Sequence, residues 1–499
     1  MSADTSFDPR SGATVASISH TSDTELDELV VRAAAAADVL AGASPAERQT
    51  WIRAGADALE ANREELAGVA DRETALGSSR LDGEVMRTAG QLRFYAEVAV
   101  EGTYLRAVLD PATPTSSFLA RTNIPLGPVA VFGASNFPFA FSTFGNDTAS
   151  ALAAACPVVV KAHPAHPMTS QRTFEVVHTA MVGAGAPESV AALVFGYEAG
   201  AALVKHPLIS AVAFTGSQAG GMSLWKLANE RDVVIPVYAE MGTVNPVVVT
   251  PAAGADIASI ARGFVSSFTL GSGQFCTKPG LILAPRGVNA TRIIADALED
   301  ASPQPVLLTK GIANAVTAGV AELQEAGATL IAETSSTGAG WSSPATLLAA
   351  SVDLLHVGSR VLNECFGPVA VVVEYDHVDD ALKGVDSLQG ALAASIIAAD
   401  DDPDAPRVLK HLERKVGRVI VNDWPTGVAY TWAQEHGGPW PATSNPTTTS
   451  VGASALDRFV RPIAYQGLPE SMLPAPLRAD NPWGIPRRVG GRLETGERP

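Results

Sequence analysis

Between residues 129 and 214 the chain alternates short, near-continuous apolar runs with helix-patterned stretches, and this alternation restricts the fold more than any other feature. The runs are Val129-Ala-Val-Phe132, Pro157-Val-Val-Val-Lys161, residues 190–195 and Ala211-Val-Ala-Phe214. Between them lie alanine-rich or amphipathic stretches at 144–155, 170–183 and 199–205. A strand that is apolar throughout is covered on both faces, and a helix between successive strands is the usual way to join them in parallel. The pattern predicts an α/β fold with a doubly wound parallel sheet. A second series opens at Asn245-Pro-Val-Val-Val-Thr250 and runs through Leu281-Ile-Leu283, Ala370-Val-Val-Val373 and Val419-Ile-Val421, predicting a second domain of the same kind.

Ahead of these, residues 24–100 carry apolar side chains at three- and four-residue spacing, among them Trp51, Ile52, Leu59 and Leu66, which predicts helices. Ser44-Pro45-Ala46-Glu47 reads as a helix start, with Ser44 as cap, Pro45 at the first helical position and Glu47 completing a capping box. Residues 103–121 break the pattern: Asp110-Pro-Ala-Thr-Pro-Thr115 lies between two strand-like stretches, as in an extended hairpin or arm. After Pro439 the chain is rich in Pro, Thr and Gly and is expected to wrap around or pair with another element.

Charge bounds the partners. A net charge of −17 argues against nucleic acid or an anionic membrane surface, so any anionic ligand must be held by local positive groups. At 499 residues, 46% apolar and 17% charged, the chain has the composition of a soluble globular protein of two or three domains. No apolar run reaches the ~18 residues of a membrane span. Cys156, Cys276 and Cys365 are too scattered for a disulfide framework or a metal set, and the N-terminus lacks the regions of a signal peptide, so a reducing cytoplasm is expected.

Ligands of parallel sheets bind beyond the carboxyl ends of strands. After Val129–Phe132 comes Gly-Ala-Ser-Asn-Phe-Pro138, where Asn136 can present an amide donor. Lys161 closes the next run and is followed by Ala-His-Pro-Ala-His-Pro167; it reads either as a solvated lysine or as one facing the crevice. His163 and His166 have no Cys or carboxylate at ligand spacing, so no metal is expected there. Thr215-Gly-Ser-Gln-Ala-Gly-Gly221 is a strand-to-helix turn that suits a phosphate or is simply capped by Ser217. Glu240, in a turn bounded by Gly242, reads as a solvated carboxylate or as a general base raised by burial. Glu364-Cys-Phe-Gly-Pro368 sets a carboxylate beside an aromatic, suited to a sugar hydroxyl and a flat ring. In Gly271-Ser-Gly-Gln-Phe-Cys-Thr-Lys278 a cysteine sits in a polar, glycine-rich turn, where backbone freedom suits a nucleophile better than a packing residue.

In their order and spacing, these residues resemble the aldehyde dehydrogenase superfamily over nearly the whole chain, through Gly133-Ala-Ser-Asn-Phe-Pro138, Phe214-Thr-Gly-Ser217, Glu240-Met-Gly242, Gly273-Gln-Phe-Cys276 and Glu364-Cys-Phe-Gly-Pro368. The resemblance implies Cys276 as nucleophile, Glu240 as the base for the deacylating water, and Asn136 with the Cys276 N–H as oxyanion hole. It implies NADP, with NAD possible, as cofactor: Lys161 on the adenosine ribose with His163 beside it, Gly216, Ser217 and Gly221 near the pyrophosphate, Glu364 and Phe366 on the nicotinamide side. Phe137 and His436 are expected in the substrate pocket. The implied organisation is a cofactor domain (1–103 and 122–241), a catalytic domain (242–449) and an oligomerisation arm with C-terminal wrap (104–121 and 450–499), assembled as a homodimer or homotetramer.

Two departures from the common pattern, Lys161-Ala-His-Pro164 and Gln434-Glu-His-Gly-Gly-Pro-Trp-Pro-Ala-Thr-Ser444, are similar to the branch holding 2,5-dioxovalerate (α-ketoglutarate semialdehyde) dehydrogenases and an NADP-dependent fatty aldehyde dehydrogenase. Pro164 stands where a carboxylate would grip the 2′-hydroxyl, and His163 or Thr169 offers a further donor to a 2′-phosphate. The expected substrate is the small-molecule aldehyde 2,5-dioxovalerate, with a long-chain or aromatic aldehyde as alternative. A catalytically silent relative and a CoA-acylating enzyme are the rivals; the intact Cys276, Glu240 and Asn136 set disfavours the first, and Glu240 the second.

Overall fold

The computed structural model describes residues 2–496. The chain begins with a hairpin, β1 (Ala3–Phe7) and β2 (Thr14–Ser19), that the sequence pattern did not predict, because its short strands mix small and polar residues and lack apolar alternation. Four helices follow: α1 (Asp23–Gly42), α2 (Pro45–Ala61), α3 (Arg63–Thr74) and α4 (Ser78–Glu101). The capping box of α2 is formed, with Glu47 N–H donating to Ser44 Oγ at 3.2 Å and Ser44 N–H to the Glu47 carboxylate at 2.8 Å.

Strands β3 (Ala107–Asp110) and β4 (Leu119–Pro125) form the arm. The first parallel sheet is built from β5 (Val129–Phe132), α5 (Asn146–Ala153), β6 (Val158–Lys161), α6 (Pro167–Gly183), β7 (Ala191–Val194), α7 (Tyr197–Lys205), β8 (Ala211–Gly216), α8 (Gln218–Asn229) and β9 (Val237–Met241). Its strand order is β7-β6-β5-β8-β9, so the chain reverses its direction of travel at β5 and opens a crevice at the carboxyl ends of β5 and β8.

The second sheet takes β10 (Asn245–Val249), α9 (Ile257–Thr269), β11 (Pro279–Pro285), α10 (Ala290–Ala301), α11 (Lys310–Glu325), β12 (Thr329–Glu333), β13 (Thr346–Ala350), β14 (Val369–Tyr375), α12 (Val378–Ser387), β15 (Ala391–Ile397), α13 (Ala405–Leu412) and β16 (Val416–Val421). Its order is β12-β13-β14-β11-β10-β15-β16, parallel except at β12. Strands β13 and β15 escaped the sequence pattern: both are rich in Ala and Leu, good helix formers, and burial between layers overrides that propensity.

The C-terminal segment returns to the arm. Strand β17 (Val460–Gln466) pairs antiparallel with β4, while β18 (Arg487–Val489) lies parallel to β3 and carries β19 (Arg492–Glu494) outside it. Where this return crosses the first sheet, Arg458 is buried and donates to Asp147 at 2.9 Å and to Ser150 Oγ at 3.1 Å. Among the described residues no helix is long and apolar enough to cross a membrane.

Candidate active site

Four segments converge between the two parallel sheets: the loop after β5, the end of β9, the turn joining α9 to β11, and residues 434–444. The turn reverses sharply because Gly271, Ser272 and Gly273 all have positive φ, at 57°, 60° and 68°. A Cβ at Gly273 would lie 2.3 Å from the backbone carbonyl of Gly367, so only glycine lets this turn rest against the 364–368 loop. Asn245, at the start of β10, then donates from Nδ2 to the carbonyls of Cys276 at 2.8 Å and Lys278 at 3.0 Å, fixing the turn to the sheet. The Cys276 carbonyl is thereby engaged, while its N–H finds no protein acceptor among the described residues. Asn136 donates from Nδ2 to the Gln274 carbonyl at 2.8 Å, which ties its amide to the same turn two residues before Cys276.

Sγ of the half-buried Cys276 lies 3.7 Å from His436 Nε2, and the Glu240 carboxylate 3.5 Å from the same nitrogen; the three groups sit within 4.8 Å of one another. His436 is held by donation of its N–H to Thr449 Oγ1 at 2.8 Å. Residues 441–443 run alongside β9, where Met241 N–H meets the Ala442 carbonyl at 2.9 Å. The resemblance implies His436 in the pocket region; the structure sets it at the thiol itself.

Burial governs the protonation of the trio. It raises Glu240 to about 8, helped by the charges of Asp147 and Glu364. It pushes the Cys276 thiol well above its ordinary value, Glu240 and Glu364 adding to the effect and Arg87 and Arg418 opposing it. It lowers His436 to about 3, reinforced by Arg418 and Arg87. The His436–Glu240 contact is therefore no ion pair at neutral pH: an imidazole, a largely protonated carboxyl and a thiol face one another, arranged to pass protons rather than to hold charge.

Phe137 forms one wall of the site, edge-on to Phe275 at 5.1 Å and to Phe141 at 5.4 Å between ring centroids. Glu364 packs against Gly242, where a Cβ would come within 2.3 Å of its carboxylate, and the half-buried Phe366 follows in the same loop. Lys278, two residues after Cys276 and fully buried, donates from Nζ to the carbonyls of Cys365 at 3.0 Å and Val369 at 2.6 Å. The nucleophile turn and the Glu364 loop are thus fastened together by the Lys278 side chain, which no local pattern marks.

The remaining candidates lie in the crevice of the first sheet. Lys161 ends β6 and is buried, which lowers its pKa. Asp4 of the N-terminal hairpin acts on it, a carboxylate that accepts from the Gly196 N–H at 3.0 Å and contacts His20 at 3.1 Å. His163 is kept neutral by burial, by His166 and by Lys161. Ser217 caps α8, its hydroxyl accepting from Gly220 N–H at 3.2 Å, next to Gly216 at the end of β8. Gly221 is the point where α8 meets β9, since a Cβ there would lie 2.7 Å from Met241 Sδ. Thr169 is not free to donate into the crevice: its N–H and hydroxyl both go to the Glu73 carboxylate, at 2.8 and 2.7 Å.

This crevice fits a dinucleotide. A buried Glu364 oxygen has no hydrogen-bond partner, and the first-turn N–H groups of Gln218 and Ala219 have no acceptor among the described residues. A ribose hydroxyl and a pyrophosphate supply what those groups lack.

A family model, "Aldehyde dehydrogenase family", matches residues 2–440. Alpha-ketoglutaric semialdehyde dehydrogenase 2 of Azospirillum brasilense is 45% identical over 90% of this chain and 88% of its own. Alpha-ketoglutaric semialdehyde dehydrogenase of Acinetobacter baylyi is 42% identical over 86% of this chain and 84% of its own. Among solved structures, an aldehyde dehydrogenase from Bacillus cereus in complex with NAD+ superposes with a TM-score of 0.81 at 22% identity, covering 93% of each chain. An NADP-dependent glyceraldehyde-3-phosphate dehydrogenase from Bacillus halodurans, complexed with NADP, gives 0.79 at 24% identity over 93% of this chain and 96% of its own. These likenesses extend over both sheets and the loops between them, and the chain belongs to the aldehyde dehydrogenase family, oxidoreductases that act on aldehydes with NAD(P).

Proposed function

We propose that the protein oxidises 2,5-dioxovalerate to 2-oxoglutarate by covalent catalysis at Cys276. The observation that carries the chemistry is the meeting of Sγ, the Glu240 carboxylate and His436 Nε2 within 4.8 Å, with the Asn136 amide bonded to the turn that carries Cys276. The thiol gives its proton to a neighbouring base and Sγ adds to the aldehyde carbon. The alkoxide that forms is stabilised by the Asn136 amide and the free Cys276 N–H. NAD(P), held by Lys161, the start of α8, Glu364 and Phe366, supplies a hydride acceptor when bound. Glu240, once ionised, takes a proton from water, which attacks the thioester carbon; the acid leaves and Sγ recovers its proton. Water activation needs that carboxylate, which favours hydrolysis over transfer to CoA.

The substrate assignment rests on the two relatives named for α-ketoglutaric semialdehyde. Its test is kcat/KM for 2,5-dioxovalerate, succinate semialdehyde, hexanal and benzaldehyde; a preference for the uncharged aldehydes overturns it in favour of a long-chain or aromatic substrate. NADP is read as used at least as well as NAD, because Pro164 leaves no carboxylate against a 2′-phosphate and Lys161 stays beside it. With His163 neutral and Asp4 close by, the margin is small, and a kcat/KM for NAD well above that for NADP rules this reading out. The reading includes a cytoplasmic homodimer or homotetramer assembled through the arm sheet, which light scattering on the purified protein tests.

A further inference from the structure

Arginines stand close to the site beside its carboxylates, although the protein as a whole is strongly negative. Helix α4 presents Arg80, Glu84 and Arg87 at positions four and three apart, hence on one face, toward the Phe137 wall. The Arg87 guanidinium lies 5.6 Å from the Phe137 ring centre, 5.9 Å from that of Phe141 and 5.1 Å from that of Tyr430. Phe141 in turn lies 6.5 Å from the His436 ring, so Arg87 stands two aromatic contacts from the thiol. The Arg80 guanidinium flanks Phe137 at 5.2 Å and Phe275, the residue before Cys276, at 5.0 Å.

Neither arginine has an acidic partner within 4.0 Å among the described residues, although arginines elsewhere on this protein are commonly paired. Arg87 bonds one backbone acceptor, from Nη2 to the Val428 carbonyl at 2.9 Å, with the Tyr430 hydroxyl beside it as a neutral partner, and Arg80 bonds the Asn136 carbonyl at 2.7 Å; Nη1 of Arg80 is buried with no partner at all. Glu84 does not close the gap: one of its oxygens accepts from the N–H groups of Phe139 and Ala140. Aromatic faces orient a guanidinium and shed its water without satisfying its donors, and a planar carboxylate is the ligand that matches a free fork.

We propose that Arg87, backed by Arg80, receives the carboxylate at the far end of the substrate and so makes a semialdehyde acid the preferred substrate over a neutral aldehyde. This rests on the reading of 2,5-dioxovalerate as substrate. The competing explanation is that Arg87 only ties α4 to the 428 loop, in which case its loss harms all aldehydes alike.

The test measures wild type, Arg87→Met and Arg87→Lys with 2,5-dioxovalerate and hexanal, and adds inhibition of hexanal oxidation by glutarate. In the wild type, 2,5-dioxovalerate is preferred and glutarate competes. In Arg87→Met the ratio of the two kcat/KM values falls about a hundredfold, chiefly through KM for the acid, and the glutarate inhibition constant rises in parallel. Arg87→Lys, which keeps a point charge and loses the fork, lies between, and it carries the test if the methionine variant does not fold. A variant ratio equal to that of a wild type that does prefer the acid overturns the Arg87 assignment alone. A wild type that prefers hexanal overturns the substrate reading instead.

Discussion

Replacing Cys276 with alanine is expected to lower turnover by at least about four orders of magnitude, the scale seen when a covalent nucleophile is removed from a constellation that acts as a unit. The large effect follows from geometry. Cys156 and Cys365, the other two thiols, are both buried: Cys156 lies under the first sheet with its pKa pushed up to about 11, and Cys365 packs against Gly319 of α11. Neither can stand in for Sγ. Binding of NAD(P) should persist in the variant, because Lys161, the start of α8 and Glu364 do not depend on the thiol. Stopped-flow absorbance at 340 nm reads the first quantity, and quenching of protein fluorescence by the cofactor reads the second. More than a trace of turnover in Cys276→Ala would remove covalent catalysis at this residue from consideration.

Glu240→Gln is expected to leave a burst of reduced cofactor and to slow the steady state by about a hundredfold to ten-thousandfold, since glutamine fills the same space but takes no proton from water. The pH dependence makes the assignment sharper. A carboxyl raised to about 8 is only roughly a tenth ionised at pH 7, so the steady-state rate of the wild type should climb as pH increases through 8 and level off above it. The slope should be missing from Glu240→Gln. If the variant loses burst and steady state together, Glu240 acts earlier and takes the proton of the thiol as well.

The two sheets could be read from the sequence because strands covered on both faces are apolar at every position, as in Val158–Val160 or Val247–Val249, whatever the rest of the chain does. Cys276 and Asn136 stand out as candidates because each brings polar or reactive chemistry to a turn that packing alone does not demand; Glu240 stands out by its carboxylate alone, since it lies within β9 and not in the turn that Gly242 suggests. What stayed hidden was held in place by distant contacts. Asn245 looks like the polar start of a strand, and only the folded chain shows that its amide bonds the carbonyl of Cys276. His436 is separated from Cys276 by 160 residues, and its 3.7 Å approach to Sγ depends on a segment laid along β9. Thr169 looked like a donor for a phosphate until α3 supplied Glu73. The residues after Lys161 offer no carboxylate, and only the folded chain shows that the N-terminal hairpin brings Asp4 close enough to act on it. No local pattern encodes such pairings.

The pairing of β17 with β4 has a consequence for how the protein is made. Seven residues, Leu119–Pro125, find their partners on this side only in Val460–Gln466, more than three hundred residues later in the chain. At ~5–20 residues per second of synthesis, roughly half a minute passes in which the first sheet can fold while this edge of β4 has nothing to bond. An open strand edge is a template for any other extended chain, including a second nascent copy of the same one. Holding back synthesis, or truncating the chain before residue 460, should therefore yield aggregates rather than a soluble cofactor-binding fragment, and a chaperone that covers extended segments should raise the yield of the full chain.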